Sequence, residues 1–83
     1  MSETVSIKEH TVMKRTIAYC EEKINEETFT QIILIGESKA VNKCISIAEI
    51  LKRSHPNLKQ TSILDESPER SDEPRLTITL SKH

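Results

Sequence analysis

The chain has 83 residues, room for one compact domain whose core is small enough that burying further surface against a partner adds much to its stability. With 35% hydrophobic and 30% charged residues, one Gly and three Pro, it has the composition of a folded chain and not of a disordered or collagen-like one. Twelve Lys and Arg against thirteen Asp and Glu leave a formal net charge of −1, so any grip on a polyanion must come from cations gathered on one face, and the single Tyr, single Phe and absent Trp exclude an aromatic base-stacking platform.

Residues Thr4 to Lys8 alternate apolar and polar, with Val5 and Ile7 on one side, which suits a short first strand. From Val12 the period changes. Met13, Ile17, Cys20 and Ile24 recur along one helix face, with Lys14, Arg15, Glu21, Glu22 and Lys23 left for solvent, and predict a helix from about Thr11 to Asn25. Gln31 is followed by Ile32, Ile33, Leu34 and Ile35 and closed by Gly36, a continuous run that reads as a central strand buried on both faces. Ser38 can cap a second helix, in which Ala40, Val41, Cys44, Ile45, Ile47, Ala48 and Leu51 cover well over half the circumference. That is more apolar surface than a sheet alone needs, so one side of this helix is expected to meet a partner.

Pro56, preceded by Ser54 and His55, ends the second helix, because proline lacks an amide proton and restricts the residue before it. Leu58 to Leu64 reads as a third strand, and Leu76, Ile78 and Leu80, alternating with Thr77, Thr79 and Ser81, as a fourth. Between them the segment 65–74 has no apolar residue and two prolines, and is expected to form a mobile acidic hairpin arm. The predicted order is βαβαββ, an α/β (α+β) fold with two helices on a four-stranded sheet, in one two-layer domain spanning 1–83 with no internal repeat.

Catalysis has little to work with. One glycine rules out a phosphate-cradling P-loop or a dinucleotide fingerprint, both of which need several. His10, His55 and His83 fall on a loop, a helix end and the terminus, with no helical His-Glu spacing to chelate a metal. Cys20 and Cys44 form no CxxC pair and read as small buried hydrophobes, with nothing to place either in an exposed electropositive setting. No catalytic residue, metal site or cofactor is expected, and the chain is read as a binding protein and not an enzyme. With neither a signal-peptide core nor an apolar run long enough to span a bilayer, it is expected to be intracellular and soluble, in nucleus or cytoplasm alike.

The informative stretch is Ile35 to Arg53. Gly36 to Lys43 joins a buried strand to a helix start, where free amides and the helix dipole favour a phosphate, and Lys39 and Lys43 lie on one helical side. An ordinary capped helix with two solvated lysines has the same spacing, so both readings stand at this level.

Val12-Met13 at the first junction, then Ile32 to Gly36, then Ser38-Lys39-Ala40-Val41-Asn42-Lys43, and finally Ala48-Glu49-Ile50-Leu51-Lys52-Arg53, together resemble the Alba family of DNA- and RNA-binding proteins. The resemblance runs along nearly the whole chain. It extends to the eukaryotic Alba relatives that serve as paired small subunits of ribonuclease P and ribonuclease MRP, where a Gly-Ser-Gly-like turn precedes the second helix; Gly36 falls on the first glycine of that turn. The resemblance implies a mixed sheet, a dimer, and nucleic-acid binding through the loop after the first strand, the start of the second helix and the hairpin arms.

Departures from the family pattern narrow this. The Lys-Lys-Pro typical of archaeal members falls on Glu9, His10 and Thr11, and the Arg-Gly-Arg before the second helix becomes Glu37-Ser38-Lys39. Arginine-rich arms are replaced by an arm bearing Asp65, Glu66, Glu69, Asp72 and Glu73 against Arg70, which a phosphate backbone would repel. The remaining candidate site is Lys8, His10, Lys14, Arg15, Lys39 and Lys43. It suits RNA better than duplex DNA, in a homodimer or a heterodimer with another Alba-like chain, as in a ribonucleoprotein such as ribonuclease P or MRP. The alternative is a protein–protein assembly factor that uses the apolar face of the second helix and the acidic arm, with weak or no nucleic-acid binding.

Overall fold

In the computed structural model, which describes residues 2–66 and 73–82, the alternating stretches are strands and the helix-period stretches are helices. Strand β1 is Ser2–Ile7, helix α1 Met13–Ile24, and strand β2 Gln31–Glu37. A 3-10 turn over Ser38–Ala40 leads into helix α2, Val41–Ser54, which is followed by strands β3, Lys59–Glu66, and β4, Pro74–Ser81. The sheet order is β1-β2-β4-β3. β1 and β2 are parallel, joined by α1 as the crossover that parallel neighbours require, and both β2–β4 and β4–β3 are antiparallel.

Both helices lie on one face of this mixed sheet. Ile32, Leu34 and Gly36 of β2 stand opposite Leu80, Ile78 and Leu76 of β4, and all six are buried beneath Cys44, Ile47, Ala48 and Leu51 of α2 and Cys20 and Ile24 of α1. Burial of each large side chain here contributes about 1.5–3 kcal/mol. Cys20 and Cys44 are free thiols with no exposed surface, and burial pushes both up to about 11, which leaves them inert at neutral pH.

Three expectations change. β2 is not buried on both faces: Ile33 and Ile35 are only half-buried, because both helices pack against the opposite side. α2 offers less spare apolar surface than its composition suggests, since Val41 packs against the core and Ile45 alone among the seven is exposed, at 37%. The most exposed pair of neighbouring apolar residues lies on β3, where every residue is exposed and Ile63 and Leu64 reach 57% and 66%. The cause is topological, for β3 is the last strand of the sheet and lies beyond the two strands that α2 covers.

The strands also reach further than the periodicity shows. β3 continues to Glu66 and β4 begins at Pro74, with Asp65 opposite Arg75, so both ends of the expected 65–74 arm are paired strand. Residues 67–72 of that arm lie outside the described residues.

Candidate nucleic-acid interface

The loop from β1 to α1 is closed by one residue. Thr11 donates its backbone N–H to the Lys8 carbonyl at 3.1 Å and accepts the Lys8 N–H on its hydroxyl at 2.7 Å, leaving Glu9 and His10 at an exposed tip. α1 then opens with Lys14 and Arg15 in its first turn, both exposed, and with no acid there to compete for the helix dipole. The Thr16 hydroxyl bonds back to the Val12 carbonyl at 3.2 Å, so no side chain caps the first amides.

The β2–α2 junction is built for close approach. A Cβ on Gly36 would lie 2.8 Å from Cys44 Cβ and 2.9 Å from the Ala40 carbonyl oxygen, so only glycine lets the start of α2 press onto the end of β2. Ser38 does not cap the helix as its position suggests. It takes a left-handed conformation, φ 54°, and turns the chain into the 3-10 segment with no side-chain cap bond. Serine stands where the family pattern has glycine, and this backbone angle is the physical reason for a glycine there.

The two junctions meet through two lysines. Half-buried Lys43 sends its ammonium across to the first loop and donates to the Glu9 carbonyl at 2.6 Å and the Thr11 carbonyl at 2.9 Å. Lys39, with 78% of its side chain exposed, faces the Glu9 carboxylate at 3.8 Å. Lys8 and Glu9, with Ser6, Ile35, Glu37 and Ala40, line a depression of about 90 Å³ between the strand ends. Among the described residues, the side chains of Lys8, His10, Lys14 and Arg15 have no ion-pair or hydrogen-bond partner.

All six predicted cationic positions therefore fall on the first junction and the second, at the N-terminal ends of both helices. Sequence reasoning met Glu9 and Glu37 only as departures from the family pattern and did not place Glu9 as the partner of Lys39 or Glu37 on the rim of the depression. It counted Asp65 only as one of the acids of the arm and named no partner for it. The structure pairs Asp65 with Arg75 by two bonds of 3.1 and 3.0 Å across β3 and β4, which hold the Asp65 carboxyl below its ordinary range, while Glu37 lies opposite Arg75 on the other side. The pairing of Asp65 with Arg75 could have been found from strand register, but not from spacing.

The C-terminal ends of the helices carry a second, larger recess of about 590 Å³, lined by residues including Asn25, His55, Asn57 and Lys82. His55 Nε2 lies 2.5 Å from Glu21 Oε2 and ties the end of α2 to α1; His83 lies outside the described residues. Among the described residues no group of three or more His, Cys, Asp or Glu could hold a metal, and no helix is long and apolar enough to cross a membrane.

Two helices on one face of a mixed βαβαββ sheet are the architecture of the Alba class of small α/β proteins. The Alba family profile matches residues 3–67, and the chain belongs to the Alba family. Among solved structures it resembles Alba from Thermoplasma volcanium with a TM-score of 0.65 at 17% identity, covering 99% of this chain and 100% of that one, a likeness of fold. No curated protein sequence matches the chain.

Proposed function

We propose that the chain acts as one domain over 1–83, a dimeric nucleic-acid-binding module that favours RNA over duplex DNA and serves as a small subunit of a ribonucleoprotein of the ribonuclease P and MRP kind. It binds and does not catalyse. The observation that carries this reading is the gathering of Lys8, His10, Lys14, Arg15, Lys39 and Lys43 at the start of both helices in a chain whose net charge is only −1.

The preference for RNA follows from what accompanies those cations. Glu9 and Glu37 border the surface, and Asp65, Glu66, Glu69, Asp72 and Glu73 occupy the stretch where the family's arms carry arginines. Long duplex contacts need more positive charge than this leaves. A structured RNA, recognised by shape at a few backbone positions, needs less. Salt dependence is the direct test: not all of the candidate cations can reach phosphates at once, and with each neutralised phosphate contributing roughly 0.7 to 0.9 to the logarithmic slope, the line for a hairpin RNA stays below the roughly 4 to 5 that all of them together would give. A steep slope, or tighter binding to duplex DNA than to the hairpin at equal salt, overturns the preference.

The dimer is assigned to β3, with a second copy or another Alba-like chain as occupant, because Ile63 and Leu64 are the most exposed large apolar residues described. Light scattering at micromolar concentration is expected to give a dimer, and Ile63→Lys with Leu64→Lys a monomer. The same bare strand favours the second reading, an assembly factor that contacts only proteins. Lys14→Glu with Lys39→Glu separates the two, abolishing RNA binding in the first and changing nothing in the second.

A further inference from the structure

We propose that Lys43 is a positioning residue that holds the β1–α1 loop in place instead of neutralising a phosphate, and that Glu9, fixed by that clamp, is the anion Lys39 exchanges for phosphate when nucleic acid binds. The inference rests on the nucleic-acid reading above and divides its six cations into different duties.

An ammonium has three donors, and Lys43 spends two of them on the Glu9 and Thr11 carbonyls, at 2.6 and 2.9 Å. Charge-assisted bonds of this kind are strong, and withdrawing the ammonium toward a phosphate breaks both. The position itself argues for the clamp. Lys43 is in the first turn of α2, at the positive end of the helix dipole, where a cation is disfavoured unless something local offsets it, and the two loop carbonyls do so. What they gain in return is a fixed loop, with the Lys8–Thr11 closure held against α2 and His10 presented at its tip.

Lys39 stands in contrast. Its pair with Glu9 is long, at 3.8 Å, and exposed on both sides, so it is screened and holds little energy. An ion pair of that kind is easily exchanged. Glu9 therefore acts as a resident competitor, kept beside Lys39 because its own carbonyl is anchored by Lys43.

The test compares Lys43→Met, Lys43→Arg, Lys39→Met and Glu9→Gln with the unaltered protein, folding being confirmed by circular dichroism. Binding of a short RNA hairpin is measured across a range of salt concentrations, and hydrogen exchange is followed at the Lys8 and Thr11 amides. Lys39→Met is expected to weaken binding and flatten the logarithmic salt slope by about 0.7 to 0.9, the signature of one lost phosphate contact. Lys43→Met is expected to weaken binding with the slope unchanged and to speed exchange at both loop amides by about tenfold, for two bonds lost; Lys43→Arg restores the protection. Glu9→Gln tightens binding several-fold at low salt. A slope flattened by Lys43→Met, or loop exchange that it leaves unchanged, overturns the clamp, and unaltered affinity in Glu9→Gln overturns the competitor. If the unaltered protein binds no hairpin even at low salt, the functional reading fails, while the exchange measurement still decides the clamp.

Discussion

Helix α2 carries a lysine near each end, and each reaches the carbonyls of a neighbouring loop. Lys52, in the last turn, donates to the Leu58 carbonyl six residues on, where the helix dipole favours a cation. Lys43, in the first turn, donates to Glu9 and Thr11 more than thirty residues back in sequence, against the dipole. The C-terminal bond is local and holds the turn that follows the helix; the N-terminal bonds are tertiary and join two segments that share a candidate surface. The comparison teaches that similar lysines with similar acceptors differ in duty according to whether the contact closes a turn or assembles a site.

The sharpest way to break the N-terminal end is at Gly36. Gly36→Ala puts a Cβ within 3 Å of Cys44 and the Ala40 carbonyl, and is expected to cost about 1–3 kcal/mol in urea unfolding by forcing α2 off β2. The two lysines come next. Lys43→Met and Lys52→Met should each lower stability by about 1 kcal/mol, yet only the first should weaken RNA binding. Equal binding by both variants would remove the distinction between the two ends.

A smaller effect of opposite sign is expected at Ser38. Ser38→Gly relieves the left-handed backbone at φ 54°, and even after the added freedom of the unfolded chain it should stabilise by up to about 1 kcal/mol. The smallest concerns Asp65. Its carboxyl titrates below the ordinary 3.8 because of Arg75, so its contribution to stability is present above about pH 4 and is lost as pH falls through the lowered value. Urea midpoints of the unaltered protein and Asp65→Asn should therefore differ slightly at pH 7 and converge once the pH lies below that lowered value, with high salt shrinking the difference.

What could be read in the sequence was what depends on neighbours in the chain. The spacing of Met13, Ile17, Cys20 and Ile24 gave α1, the alternation of Leu76, Ile78 and Leu80 gave β4, and the Ile32–Ile35 run gave β2, each within a few residues of its true ends. The left-handed angle at Ser38 could not be read that way, because serine also caps helices and the choice was made by how closely α2 approaches Gly36. Nor could the bareness of β3, which the pattern puts at Leu58 to Leu64: Leu58 lies just before the strand and is buried, while Ile63 and Leu64 look like further core positions until the sheet order leaves them at an edge. The six cations were legible as a set from the resemblance to the Alba family. Their division into a clamped lysine, a paired lysine and open charges depends on tertiary contacts of Glu9 and Thr11 that no spacing encodes.

The exposed edge of β3 also bears on how the chain fares when synthesised in excess of whatever covers it. An edge strand with unpaired backbone groups and two bare apolar residues is a template for cross-β aggregation. Gatekeeper charges flank the hazard, Lys59 at one end of the strand and Asp65 and Glu66 at the other, and slow the stacking of identical strands. Solubility is thereby tied to stoichiometry. Replacing Lys59 and Glu66 with uncharged residues should lower the concentration at which the isolated protein precipitates while leaving its unfolding midpoint almost unchanged.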